Sequence, residues 1–167
     1  MKYKVHSLKG DIFFSLFASD SDSYLEILNF SYSKRAEIKK TFFKEISKDF
    51  NKMPSSSSIS YSKEDAAICF SFDNLKLGID IESKERFLNE SLSKRIRNKA
   101  KKLNLKNVEY LCLLESSFKS KQIEKDDLQS YSFKRESEMF VLSDISYKIF
   151  SKTFETKNLY CSLSICT

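Results

Sequence analysis

The sequence has 167 residues and a formal net charge of +6 at neutral pH, and 41% of its residues are hydrophobic. This length suits one ordinary domain, or two small halves that share a core. No apolar run approaches the roughly 20 residues that a helix needs to cross a bilayer. The start of the chain alternates like a strand and lacks the apolar centre and cleavage site of a signal peptide. We therefore expect a soluble cytoplasmic protein.

The scarcity of some residue types limits the chemistry open to this chain. It has a single histidine, His6, and four cysteines without a CxxC pair, which disfavours a zinc site and Ser-His-Asp or Cys-His catalysis. Two glycines leave no glycine-rich phosphate loop. Acid–base chemistry would then fall to carboxylates or lysines. The positive charge favours a polyanionic partner: nucleic acid, an anionic membrane surface, a phosphorylated ligand or an acidic protein.

The beginning of the chain predicts strands followed by a helix. Strands are predicted at residues 1–7 and 11–18, with a polar loop at 19–23. From about Ser33, apolar residues recur at spacings of three and four, which indicates a helix with one buried stripe and a basic opposite face. The stripe consists of Ile38, Phe42, Phe43, Ile46 and Phe50, and the basic face of Lys34, Arg35, Lys39, Lys40 and Lys44.

A loop with a serine run separates this helix from a predicted β-hairpin. The loop covers 51–58, the hairpin strands 59–62 and 66–72, and the turn between them 63–65. Turn residues at 73–74 end this group. We therefore divide the chain into an N-terminal half at 1–74 and a C-terminal half at 75–167.

The stretch Leu75–Glu82 alternates without a break between apolar and polar residues. Such alternation is typical of a strand with one buried face. The other face carries two carboxylates, Asp80 and Glu82, which repel each other, and a divalent cation would give a reason to place them there. Beside them, Gly78 leaves a gap through which a ligand could approach the backbone. The alternative is a solvated strand face that happens to be acidic.

Two helices and several strands are predicted in the rest of the chain. The first helix, from about Ser91 to Leu103, is strongly basic, whereas the second, from about Asn107 to Lys121, has a clear apolar stripe. Glu115 and Lys119 lie on one face of the second helix, as an ordinary stabilising pair would. Strand-like segments follow at 131–133, 146–154 and 159–166.

Several of these segments, taken in order, match the motifs of a known family. Ile59–Ser62 (ISYS) resembles an I-S-H-S strand, and Ala66–Phe72 occupies the strand that follows it. Gly78–Glu82 is a G-I-D-I-E motif intact, and Leu111–Lys119 (LCLLESSFK) is similar to a W-x-x-K-E-S-x-x-K helix. Further on, 128–133 resembles an L-x-x-F-x-F segment and 160–166 the closing strand. The family is that of the 4′-phosphopantetheinyl transferases, and the likeness covers most of residues 38–167.

The sequence departs from that family at several positions. Tyr61 stands where the family has histidine, Leu111 where it has the helix tryptophan, and Leu114 where it has lysine. The usual Gly-x-Gly after the helix is replaced by residues 120–127, and the N-terminal half is shorter than usual. These differences leave open a degenerate member that binds carrier protein or coenzyme A without catalysis. A basic nucleic-acid-binding domain, motivated by the helix at 91–103, is a further alternative, but it leaves the acidic cluster unexplained.

The resemblance also implies a fold. It is α+β, with two similar α/β halves related by a pseudo-twofold axis, each half having a small antiparallel sheet packed on a helix. The active site would lie in the cleft between the halves. Such an internal duplication would make a monomer sufficient.

The function that the resemblance implies is the transfer of phosphopantetheine from coenzyme A to a serine of an apo acyl or peptidyl carrier protein, as in fatty-acid biosynthesis. Asp80, Glu82 and Glu115 would hold Mg²⁺, which favours a few carboxylates together with phosphate oxygens and waters. Glu115 would take the proton of the carrier serine, and Lys119 would stabilise charge on the phosphate.

The resemblance implies ligand and partner contacts as well. Coenzyme A would be contacted by Lys40, Lys52, Ser60, Tyr61 and Lys119. Carrier proteins are typically acidic and would dock near Lys94, Arg95 and Arg97 on the basic helix. We expect neither a membrane nor a nucleic-acid partner.

Overall fold

The strands form two antiparallel sheets, and each sheet packs against a helix. The computed structural model describes residues 6–7, 23–29, 35–63, 65–121, 131–143 and 146–167. In this part of the chain there are nine strands and three helices, so the predicted α+β class is confirmed. Among the described residues, no helix is long and apolar enough to cross a membrane.

The elements follow one another along the chain in a simple order. They are β1 (His6–Ser7), β2 (Ser23–Asn29), α1 (Arg35–Phe50), β3 (Ser56–Ser62), β4 (Asp65–Ser71), β5 (Lys76–Ser83), α2 (Glu90–Lys102), α3 (Asn107–Lys121), β6 (Lys134–Glu136), β7 (Met139–Ser143), β8 (Lys148–Glu155) and β9 (Leu159–Cys166). The first sheet has the order β1-β2-β4-β3, and the second has the order β5-β9-β8-β7-β6.

The first sheet uses the two faces of β4 for two different cores. Ala66, Ile68 and Phe70 pack against Ile46 of α1, together with partly buried aromatic residues. The intervening residues of β4, Ala67 and Cys69, pack instead on β5 and β9 of the second sheet. This alternation follows from the two-residue repeat of a strand. Strand β4 therefore lies buried between α1 and the second sheet.

The second sheet carries α3 on the face that points away from β4. Helix α3 contributes the middle of the largest core, which also includes residues of α2, β7 and β8. Phe133, just before β6, meets the ring of Tyr110 edge-on, with centroids 6.2 Å apart. Tyr131 meets Phe118 in the same way at 5.3 Å. The segment between α3 and β6 thus packs back onto α3 where the structure describes it.

The two sheets meet where β3 lies beside β5. Ser58 Oγ accepts a hydrogen bond from Ile79 N at 3.1 Å, and Ser62 Oγ accepts one from Ser83 N at 2.9 Å. The two strands run in the same direction, because each partner on β5 lies 21 residues after its serine. We call these contacts the β3–β5 seam. Strand β5 is the edge strand of the second sheet. Serine hydroxyls of β3 thus supply acceptors for backbone N–H groups that would otherwise be unpaired at this edge.

Most of the predicted elements are confirmed within a few residues. The helix at 35–50, the hairpin of β3 and β4, the strand β5 and both helices of the C-terminal half are present, and α3 has the predicted bounds. Strands β2, β6 and β7 were not predicted. The strand predicted at 131–133 is wrong, since this segment is irregular and β6 follows it. The predictions for 11–18 and 128–130 lie outside the described residues.

The prediction that β5 is buried on one face only is wrong. Its apolar residues face the first sheet, and its polar face lies beneath α3, so that Asp80 is only 4% exposed. The solvated-face alternative is therefore wrong as well. The predicted gap at Gly78 is filled, because a Cβ built there would overlap the backbone of Ser116 on α3.

Candidate functional site

Three side chains from three separate segments meet where the β3–β5 seam passes beneath α3. Lys119 Nζ lies 2.7 Å from Asp80 Oδ1 and 3.1 Å from Ser60 Oγ. Ser60 Oγ donates to the same Asp80 oxygen at 2.7 Å. Lys119 Nζ also donates to the backbone oxygen of Ile79 at 3.1 Å. These contacts join the ISYS strand, the GIDIE strand and the ESSFK helix at one point.

Strand alternation explains why Ser60 takes part in this site. Ser58, Ser60 and Ser62 share the face of β3 that meets β5, whereas Ile59 and Tyr61 face the core under α1. A one-residue shift of β3 would exchange the two sets. The serine alternation in the sequence therefore fixes which hydroxyl reaches Asp80.

The height of α3 above the sheet is set by small polar residues. Five serines, which are fully buried, form a connected hydroxyl network between the helix and the strands β8 and β9, with oxygen separations of 2.7 to 3.3 Å. They are Ser116, Ser117, Ser151, Ser162 and Ser164. Each hydroxyl has a partner, so their burial avoids the cost of unsatisfied polar groups. Because small residues allow close approach, α3 brings Lys119 directly to β5.

Opposing effects act on the Asp80 carboxyl. Burial, the largest, raises its pKa, while the nearby Lys119 charge and the hydrogen bonds from Lys119 and Ser60 lower it. The charge of Glu115 also raises the pKa of Asp80. Asp80 Oδ2 is buried and has no hydrogen-bond partner among the described residues. One oxygen of this carboxyl is thus a buried acceptor that no described residue satisfies.

Glu82 is held by a different cation. It forms an ion pair with Arg86, four residues later, and its side chain is 13% exposed. The sequence alone offers no folding reason for two neighbouring carboxylates on β5. The structure supplies one, since Asp80 is neutralised by Lys119 and Glu82 by Arg86.

The predicted metal ligands have the type of donor atom that Mg²⁺ prefers, namely carboxylate oxygens. Asp80 Oδ2 is a buried oxygen without a hydrogen-bond partner in the described chain, and the Glu115 carboxylate acts on the same group. Magnesium prefers such oxygen ligands. Within the described residues, however, no group of three or more His, Cys, Asp and Glu side chains is arranged to hold a metal ion. The three-carboxylate site of Asp80, Glu82 and Glu115 stays a prediction.

The predicted coenzyme A contacts are distributed unevenly around this site. Ser60 and Lys119 lie in it, whereas Tyr61 packs on the opposite face of β3 against the core under α1. Lys40 is exposed on α1. Lys52 is also exposed, and its ammonium lies 4.0 Å from the centroid of the Phe72 ring. The roles of Tyr61, Lys40 and Lys52 stay predictions.

A polar cavity of about 550 Å³ opens beside Lys119. It lies at the start of β3 and β5 and at the end of α3. Its lining consists of Ser55, Ser56, Ser57, Ser58, Asn74, Leu75, Lys76, Leu77, Lys119, Ser120 and Lys121. Lys76, Lys121 and the serine run were not predicted as ligand contacts. The serine run could have indicated this cavity, but its composition predicts a loop over 51–58, whereas β3 begins at Ser56.

The basic helix α2 leaves most of its charged side chains in solvent. It buries Ile96 and Ala100 on a narrow side, and Asn89 Oδ1 caps its first turn by accepting from Leu92 N at 2.8 Å. The exposed basic residues are Lys94, Arg95, Arg97, Lys101 and Lys102. Of these, Lys94 forms an ion pair with Glu90 at 2.7 Å. The strongly basic helix predicted from about Ser91 to Leu103 is thus present as α2, and only a narrow side of it is buried.

No protein-family model matches this chain, and no curated protein has a significantly similar sequence. A functional assignment therefore depends on the geometry of the site and on the motifs that meet there.

Proposed function

We propose that this chain is a 4′-phosphopantetheinyl transferase, which moves phosphopantetheine from coenzyme A to a serine of an apo carrier protein. The observation that carries the proposal is the hydrogen-bonded set of Ser60, Asp80 and Lys119. Each member comes from a different motif of the family that the sequence resembles. Motifs separated by up to 59 residues thus supply one polar site, as a shared chemical role would require.

The transfer needs a base and a cation next to the phosphate. In the proposed reaction, the carrier serine oxygen bonds to the phosphorus of phosphopantetheine, the pyrophosphate P–O bond breaks, and 3′,5′-ADP leaves. Glu115 takes the serine proton, directly or through a water. Lys119 stabilises the charge that develops on the phosphate oxygens. Both side chains project from one face of α3, because they lie four residues apart.

The carboxylates would hold a magnesium ion in this proposal. Asp80, Glu82 and Glu115 are the candidate ligands, of which Asp80 offers its buried Oδ2. When bound, the ion would neutralise charge on the pyrophosphate. Because the ion pair with Arg86 engages Glu82 Oε1, the other carboxylate oxygen, Oε2, would be the candidate ligand.

The cavity beside Lys119 is the place that we propose for the nucleotide end of coenzyme A. Its volume of about 550 Å³ and its lining of serines and lysines suit a phosphorylated ligand. Lys76, Lys119 and Lys121 supply positive charge there. Lys40, Lys52 and Tyr61 stay candidate contacts from the family resemblance.

The architecture is compatible with an internal duplication. Each sheet carries one helix on its outer face, and the site lies where the sheets meet. We propose on this basis that the halves are related by a pseudo-twofold axis, so that one cytoplasmic monomer holds a complete site. The exposed basic face of α2, at Lys94, Arg95 and Arg97, would dock the acidic acyl or peptidyl carrier.

Mass spectrometry of an apo carrier protein tests the function directly. The carrier is incubated with this protein, coenzyme A and Mg²⁺, and the expected result is addition of one phosphopantetheine group to its serine. Glu115→Gln should abolish the addition. The matched control is Glu109→Gln, on the same helix, whose carboxylate accepts from Thr153 at 3.0 Å instead. The proposal would be overturned if carriers from fatty-acid, polyketide and nonribosomal systems all remained unmodified. It would also be overturned if Glu115→Gln were fully active.

A second candidate is a non-catalytic member that binds coenzyme A or carrier protein. It is favoured by one observation, namely that Lys119 and Arg86 already neutralise the two carboxylates of β5. This candidate predicts calorimetric binding of coenzyme A that is independent of Mg²⁺, together with no modification of the carrier. Tighter binding of coenzyme A in the presence of Mg²⁺ would contradict it.

A further inference from the structure

The ammonium group of Lys119 is fully occupied by the protein. It has three N–H donors. They are directed at Asp80 Oδ1, Ser60 Oγ and the Ile79 carbonyl oxygen, at 2.7, 3.1 and 3.1 Å. In this arrangement Lys119 has no donor left for a phosphate oxygen, although its side chain is 32% exposed.

The same arrangement is unfavourable for a divalent cation at Asp80. An ion on this carboxyl would lie a few ångströms from the Lys119 ammonium, and like charges repel strongly where water is excluded. Asp80 is 4% exposed, so little solvent is present to screen that repulsion. Its Oδ2 is nevertheless buried and without a partner among the described residues, so the carboxyl retains an unused ligand position.

We propose that Lys119 is an exchangeable internal cation. In the ligand-free chain its ammonium neutralises Asp80, and it moves to the phosphate oxygens of the substrate when a divalent cation takes its place beside the carboxyl. The nature of the phosphate ligand rests on the proposed function, whereas the competition between Lys119 and the metal does not.

The exchange has two consequences for binding. A divalent cation alone binds weakly, because it must displace Lys119 without a new partner for the ammonium. A phosphate-bearing ligand provides that partner, so the metal and the ligand each increase the affinity for the other by the same factor. Removing the ammonium should therefore improve binding of the metal alone, which is the opposite of what loss of a substrate contact would do.

The test compares the wild-type protein with Lys119→Met in chelator-treated buffer at about pH 8, which lies well above the ordinary pKa of a carboxyl group. Without metal, the variant leaves a buried carboxylate unpaired, and its Tm should fall by roughly 6–20 °C. Added Mg²⁺ should raise the Tm of the variant and leave that of the wild type almost unchanged. By calorimetry, the variant should bind Mg²⁺ at least tenfold more tightly than the wild type does.

Lys121→Met is the matched control. Lys121 lies on the same end of α3 and lines the same cavity, but its ammonium lies over the Tyr147 ring. This variant removes the same charge from the helix, so it should lower the Tm much less and should bind Mg²⁺ no more tightly than the wild type. Equal changes in Tm and in Mg²⁺ affinity in both variants would overturn the proposal, because they would show that the loss of net positive charge is the cause.

Further outcomes decide the proposal if Lys119→Met does not fold without metal. The double variant Asp80→Asn with Lys119→Met removes both charges, so it should fold and show no response to Mg²⁺. A double variant that is no more stable than Lys119→Met alone would overturn the exchange. The exchange is also overturned if Lys119→Met remains as stable as the wild type and unresponsive to Mg²⁺.

The exchange and the proposed function can fail separately. Tighter metal binding by Lys119→Met, with no carrier modification by the wild type, would uphold the exchange and overturn the transferase function. Carrier modification by the wild type, with no metal response in Lys119→Met, would uphold the function and overturn the exchange.

Discussion

Gly78 on β5 lies directly against the backbone of Ser116 on α3. A Cβ built on Gly78 would overlap the Ser116 carbonyl oxygen and would lie 2.5 Å from Ser120 N. Both obstacles are helix backbone, which cannot move aside as a flexible side chain can. The glycine of the GIDIE motif is therefore required by packing, since it lets the helix that carries Glu115 and Lys119 lie directly on the strand that carries Asp80.

Gly78→Ala should consequently destabilise the protein and displace α3. We expect a loss of at least about 1–3 kcal/mol in the free energy of unfolding, the usual cost of overpacking a well-packed core. Urea denaturation measures the loss. Lys76→Ala, two residues earlier on the same strand and exposed, is the control and should change stability little. A stable Gly78→Ala protein would show that α3 does not approach β5 this closely.

The β3–β5 seam gives a second prediction about stability. Ser62→Ala removes the acceptor of the Ser83 N–H in a buried hydrogen bond of 2.9 Å. An N–H group left unsatisfied in the interior costs about 1–3 kcal/mol, and denaturation of the variant should show a loss in that range. Ser57→Ala, which removes an exposed hydroxyl on the same strand, should be close to neutral. Equal effects of the two substitutions would mean that the seam hydroxyl contributes no more to the free energy of unfolding than an exposed hydroxyl does.

Periodicity in the sequence predicted those elements whose buried residues recur at regular spacing along the chain. Helix α3 has the predicted bounds because Leu111, Leu114 and Phe118 recur at helical spacing and all three are buried. Strand β7 was not predicted, because its five residues are too few to show a clear alternation between the neighbouring segments. The closing strand β9 was found, since its apolar and small residues are buried along its whole length.

Tertiary placement could not be predicted in the same way. The alternation of Leu75–Glu82 is real, but its polar face lies beneath a helix that begins more than 20 residues later. The cations that neutralise Asp80 and Glu82 come from α3 and from the loop after β5, and spacing along the chain does not reveal which lysine or arginine will be adjacent. The resemblance to family motifs predicts which residues carry the chemistry, whereas the internal ion pairs follow only from the packing of α3.

The pKa of Asp80 predicts a pH dependence of stability. Burial, which outweighs the effect of Lys119, raises this pKa above the ordinary value of 3.8. The folded chain therefore binds a proton at Asp80 more readily than the unfolded chain does. The stabilising contribution of this group is fully present below the unfolded-state pKa and is lost as the pH rises through the folded-state pKa.

Urea denaturation in metal-free buffer from about pH 4 to pH 8 measures this effect against Asp80→Asn, which cannot titrate. The free energy of unfolding of the wild type, relative to the variant, should decrease as the pH rises and then become constant. An increase with pH would show that the Lys119 ion pair outweighs burial and that the folded-state pKa is lowered.

The exposed basic face of α2 supports a prediction about the carrier protein. The helix buries only a narrow side, so Arg95 and Arg97 remain in solvent, close in sequence to the strand that carries Asp80. Charge complementarity at an exposed surface acts mainly on the association rate and on partner choice. Arg95→Glu with Arg97→Glu should therefore raise the KM for carrier protein severalfold or more, with a smaller increase at high salt because exposed charges are then screened.

The affinity for coenzyme A decides between docking and a nucleotide contact. It should remain unchanged in the double variant, as measured by calorimetry, because the proposed coenzyme A cavity lies beside Lys119 and includes no residue of α2. Lys134→Glu with Lys148→Glu makes the same change in net charge on exposed positions of the second sheet. This control should leave the KM for carrier protein and the affinity for coenzyme A unaltered. Equal weakening of carrier and coenzyme A by the α2 substitutions would assign the helix to the nucleotide site. No effect on either would show that its charges serve only to keep a surface helix solvated.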